Sequence, residues 1–315
     1  MPLAIALLAV VAVLAWFLWR GDTRPARSEP AAPPDDLHVD SLRTVEDALP
    51  SVDEDDAIAA IVLLRSTAGL DLEAIRRRMA ERWPALAPIE ARPDPEHDGR
   101  RWLRTSTAEL AFELCRPLPE GERLARACAP NPAWPKADTL VRDVVATVVV
   151  TARTDRGGLG RATDLTQAVM ALLHGCRDAP GVLWVPAAQL IPRRAFLDRK
   201  SGDDGLRHLF RVWVSARTLR DEDGRVIGWT QGLSALGFVD LEAHDAPESP
   251  KALRDRLVSL ADHSVTSCRP FLNGDTTGVD GQERIRLDRK PSETVNRGWV
   301  FHLRYLQPSA RSDWH

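Results

Sequence analysis

The chain has 315 residues, with 42 basic and 45 acidic side chains and a formal net charge of −3. Its 44% hydrophobic and 28% charged content argues against a disordered or fibrous polymer and provides apolar side chains for a substantial core. The near balance of charge argues against the broad basic surface that a nucleic-acid binder needs, so no nucleic-acid partner is expected.

Residues 1–19 carry no charged side chain. As a helix they would span about 28 Å, enough for the hydrocarbon core of a bilayer. Trp16 and Trp19 stand where an interfacial aromatic belt lies, and Arg20, Arg24 and Arg27 follow the apolar run instead of preceding it. Large residues occupy the place where a signal peptide has its small cleavage-site residues. An uncleaved single-pass anchor over 1–20 is therefore predicted, with its N-terminus outside and the body in the cytoplasm. Residues 21–56, with Pro25, Pro30, Pro33, Pro34 and an acidic run at 53–56, read as a disordered linker, with a short helix near 41–49.

The folded body is predicted to start at Ala57, with a first half over 57–225. A compact apolar run at 58–64 suits a buried strand. Residues 70–83 place Leu70, Leu72, Ile75, Met79 and Trp83 near helical spacing, with Arg76, Arg77 and Arg78 on the solvated face. Strands are predicted at 102–107 and 109–115, and the β-branched run within 141–152 gives the strongest strand signal. Gly157, Gly158 and Gly160 then read as a flexible turn before a helix at 162–173 capped by Thr163 or Asp164. Their spacing matches neither a dinucleotide fingerprint nor a P-loop. Short strands at 182–185 and 208–214, a loop and helical turn around Pro192 and Phe196, and a hairpin through Asp223 and Gly224 complete this half.

The second half, 226–308, has a glycine-rich segment containing Trp229, Thr230, Gly232 and Gly237. Asp240 and Glu242 follow on the next strand. A carboxylate pair can do acid–base work or bind a cation. With no histidine or third carboxylate matched to the pair in that block, an exposed acidic edge that deters strand addition is the preferred reading. Ser249 and Pro250 open an amphipathic helix over 249–265. The loop Asn273, Gly274, Asp275, Thr276, Thr277, Gly278 is the first candidate for a ligand or partner site, with Thr230, Asp240 and Glu242 as secondary candidates. The same residue types also form ordinary turns for backbone reasons, and that reading is favoured. Residues 309–315 are a tail.

These blocks in this order, over about 228–305, resemble the C-terminal domain of the DUF4261 family, a domain of unknown function found mainly in bacteria. The segments 58–64 with Trp83, 144–151 with 162–173, and Trp184 with 192–196 look like the weaker upstream blocks of longer relatives. Where such relatives often read Tyr-Trp-Gly, this chain has Leu183, Trp184 and Val185. The resemblance implies an α+β protein and no known activity.

No catalytic constellation, metal site or cofactor motif is identified. Cys115, Cys128, Cys176 and Cys268 form no Cys-x-x-Cys pair, and reduced, mostly buried thiols are expected in preference to two disulfides. The expectation is an α+β body with one mixed, mostly antiparallel sheet in two halves and packed helices, anchored in a bacterial inner membrane. Its expected role is to bind a protein partner as an interaction or immunity-type module. A hydrolase using the Asp275 loop with Asp240 or Glu242 is the alternative.

Overall fold

The computed structural model describes residues 42–51, 57–66, 70–94, 99–118, 134, 137, 141–197, 210–278, 284–294 and 298–306. The predicted anchor over 1–20, most of the linker and the tail lie outside the described residues, as does Cys128. No helix among the described residues is long and apolar enough to cross a membrane.

Two sheets form, where one in two halves was expected. The first contains β1 (Ala57–Leu64), β2 (Glu90–Pro93), β3 (Arg100–Arg104), β4 (Glu109–Cys115), β5 (Ala146–Arg153), β6 (Gly181–Trp184) and β7 (Gln189–Pro192), in the order β2-β3-β4-β5-β1-β6-β7. Among the described residues its strands pair antiparallel throughout, and Cys115 of β4 adds an isolated parallel bridge to Arg43. The continuous apolar runs of β1 and β5 are explained by burial on both faces. One face receives α2 (Leu72–Arg82) and α3 (Gly157–Gly175). The other is covered in part by α1 (Val45–Ala48) and Trp134, which pack with Ala59, Ile61, Leu63 and Leu183.

Helix α3 begins inside the glycine run, and neither Thr163 nor Asp164 caps it. Thr163 donates its hydroxyl to Leu159 O at 2.8 Å, one turn back. The reason lies in packing: a Cβ at Gly158 would stand 2.3 Å from the Leu236 carbonyl carbon. The glycine lets the helix N-terminus approach the second half of the chain closely.

Residues 208–214 were expected as a strand, but 210–213 are helical. This segment seats Trp213, fully buried, beside α3, and its indole N–H donates to Thr166 Oγ1 at 2.9 Å. A short α4 (Arg193–Leu197) also packs near α3 after β7, where the sequence suggested a loop leading into a helical turn.

The second sheet contains β8 (Ser215–Arg220), β9 (Val226–Gln231), β10 (Leu241–Ala246), β11 (Thr276–Thr277), β12 (Arg284–Pro291) and β13 (Trp299–Leu306), in the order β11-β12-β13-β10-β9-β8. Among the described residues its only parallel pairing is β10 with β13. The sheet starts at Ser215, upstream of the expected 226 boundary. Helix α5 (Pro250–Ser267), capped by the Ser249 hydroxyl, closes one face. Its Leu253 and Leu257 lie so near Gly228 that a Cβ there would meet them at 2.7 and 2.9 Å.

Candidate functional site

The face of the second sheet opposite α5 carries the chemistry. Alternation puts Glu242 and His244 on the same side of β10. The parallel register then sets Glu242 beside His302 of β13. His244 Nε2 lies 3.3 Å and His302 Nε2 3.5 Å from Glu242 Oε2. The two imidazoles stack with centroids 5.1 Å apart and planes 19° from parallel.

Glu242 is fully buried, but in a polar cradle. The Ser292 and Thr294 hydroxyls donate to its Oε1, and the Glu293 N–H donates to Oε2 at 3.0 Å. Burial pushes this carboxyl up. Hydrogen bonds from His244, Ser292, Thr294 and Glu293 N–H outweigh that effect and hold it at about 2. The hydrogen bond to Glu242 is also the chief cause raising His244 above its ordinary value, against its own partial burial. The result is an anionic carboxylate between two imidazoles, reached from solvent past the half-buried His244.

The expected acidic edge is corrected by this arrangement. Glu242 sits on a strand flanked by β9 and β13, and Asp240 is 4% exposed. Asp240 precedes β10 and turns its carboxylate away to a helical turn at Ser234–Leu236. It accepts from Thr230 Oγ1 at 3.0 Å, Leu233 N–H at 3.1 Å and Ser234 N–H at 3.2 Å. Thr230 Oγ1 in turn accepts from the Leu241 N–H at 2.8 Å. Burial still leaves the Asp240 carboxyl above its ordinary value, with these hydrogen bonds acting the other way. The two carboxylates are therefore separated in role.

The loop from Asn273 to Gly278 lies at the far edge of the same sheet. Asp275 Oδ2 accepts from the Leu272 N–H at 2.8 Å, and Asn273 Oδ1 accepts from the Arg289 N–H at 2.8 Å. Gly274 adopts φ 91°, and Thr276 and Thr277 pair with Arg286 and Ile285 as β11. The structure brings none of these loop residues to Glu242. Sequence reasoning missed His244, His302, Ser292 and Thr294. The available signal was the Glu-x-His spacing in 242–244, which period-two alternation places on one face.

A second feature lies on the partly covered face of the first sheet, a cleft of ≈ 1180 Å³. Its floor includes Ala57, Ala59, Ala111 and Thr151, and its walls include Arg43, Arg100, Arg153 and Arg161 together with Glu46 and Asp47. Val185, Pro186, Ser234 and Ala235 also line it, so both halves of the chain contribute. Arg43 and Arg100 are held in place by the buried Glu113, at 2.8 and 2.7 Å. Of the thiols, Cys115 and Cys176 are free and buried, whereas Cys268 is free and exposed.

No curated protein and no solved structure matches the chain. Residues 229–303, which run from Trp229 beside Glu242 to just past His302, match the family described as Domain of unknown function (DUF4261). The C-terminal region is thus similar to a DUF4261 domain.

Proposed function

We propose that this protein is a binding module held at a bacterial inner membrane by residues 1–20, with its folded body on the cytoplasmic side and no reaction of its own. The cleft on the first sheet supports this best. Its floor includes the small side chains of Ala57, Ala59 and Ala111, and on its walls four arginines outnumber the acidic Glu46 and Asp47. A guanidinium presents a planar fork of donors that matches carboxylates. The cleft therefore fits an acidic segment of a protein partner, in an interaction or immunity-type role. The hydrogen bonds that engage Asn273 and Asp275 with backbone N–H groups favour a turn over a hydrolytic loop.

The test is recovery of partners from membranes with the full-length protein. One stoichiometric partner is expected, lost in the doubly reversed Arg153→Glu/Arg161→Glu protein while the melting temperature holds. Equal recovery by both proteins, or robust turnover of a generic ester or phosphate by the wild type, would contradict the proposal.

A further inference from the structure

We infer that Glu242, His244 and His302 form a binding site for one divalent transition-metal ion, of the class of Zn²⁺ or Fe²⁺. Two imidazoles and one carboxylate are the donor set such ions take in mononuclear sites. The spacing agrees. A tetrahedral ion with bonds of about 2.0–2.2 Å sets its donor atoms roughly 3.3–3.6 Å apart. Glu242 Oε2 stands 3.3 Å from His244 Nε2 and 3.5 Å from His302 Nε2. One donor atom from each of the three residues lies within 4.8 Å of the other two. Modest rotation of the two rings closes the set.

The backbone pre-arranges this geometry. Glu242 and His244 are fixed by the pleat of β10, and His302 by its register partner. Around them stands an outer shell of the kind that orients metal ligands. Ser292 and Thr294 hold Glu242 Oε1 and leave Oε2 facing the imidazoles. Glu293 Oε1 stands 4.0 Å from His302 Nδ1, on the side of the ring away from Glu242. His302 Nε2 also lies 3.2 Å from the Pro291 carbonyl. Access is through His244, whose side chain is 24% exposed.

The site and the arginine cleft lie on different sheets, so either inference can fail alone. The test uses the full-length protein, stripped with a chelator and titrated with Co²⁺, whose visible d–d bands report a bound ion of low coordination number. One Co²⁺ per chain is expected, displaced by Zn²⁺. Ser292→Ala should weaken binding about tenfold, as loss of an outer-shell partner does, and His244→Ala and His302→Gln should weaken it further. Substituting Glu242 also removes buried hydrogen bonds, so the decisive variant is His244→Ala, checked for an unchanged circular-dichroism spectrum. Absence of a saturable band, or a band of equal affinity in folded His244→Ala, would overturn the inference.

Discussion

Asp240 and Asp275 show how burial decides what a carboxylate contributes. Asp240 is enclosed and satisfies two backbone N–H groups and a hydroxyl. Asp275 is exposed, and its carboxylate accepts from one N–H. Leaving buried donors without a partner costs about 1–3 kcal/mol, so Asp240→Ala should lower stability by about 3 kcal/mol in urea unfolding. Asp275→Ala should cost about 1 kcal/mol or less, the scale of a lost cap. Equal losses would contradict this account. The sequence sets Asp240 between Val239 and Leu241 and Asp275 between Gly274 and Thr276, but neither setting reveals which carboxylate is enclosed. Only the fold shows that one of them faces inward.

The Glu242–His244 pair gives stability its own pH signature. Glu242, held at about 2 against an ordinary 4.5, contributes fully above 4.5 and loses its contribution as pH falls toward 2. His244, raised above 6.5, contributes fully below 6.5 and loses its contribution as pH rises through the raised value. In chelator-treated protein, the urea midpoint of the wild type should fall between about pH 5.5 and about pH 8.5 by more than that of His244→Asn. A parallel fall in both proteins would exclude the pair as the source. Partial exposure of His244 moderates the size of the effect but not its sign.

At the scale of elements, local pattern sufficed wherever one periodicity ruled. Strand β4 alternates Leu110, Phe112 and Leu114, and its limits, Glu109–Cys115, coincide with the predicted run. Helix α5 announces itself through Ser249 and Pro250. Pattern failed where packing between elements overrode it. Residues 210–213 have β-forming side chains, yet Trp213 is drawn to α3 and the segment turns helical. The glycines that open α3 looked like a loose turn, and the Leu236 backbone that explains Gly158 lies in the other half of the chain. The site was hidden for the same reason, since His302 reaches Glu242 through a parallel pairing of distant strands. Gly158→Ala should overpack this junction and destabilise by about 1–3 kcal/mol. Gly175→Ala, where a Cβ meets nothing within 4 Å, should be neutral or gain about 0.5 kcal/mol. Similar urea midpoints for the two variants would show that the junction tolerates a side chain.

For the whole molecule, composition and block order conveyed an α+β body, but not the division into two sheets or the cleft on the first of them. A retained anchor predicts that a C-terminal fluorescent-protein fusion glows while an alkaline phosphatase fusion stays inactive. Phosphatase activity without fluorescence would reverse the topology, and soluble protein trimmed near residue 20 would remove the tether. The central claim is that the arginine-walled cleft takes an acidic segment. Its most direct test is a titration of the full-length protein with a labelled glutamate-rich peptide. The account predicts saturable binding that weakens with added salt and with Arg153→Glu/Arg161→Glu. Binding by the reversed variant as tight as by the wild type, or no binding by the wild type, would contradict it.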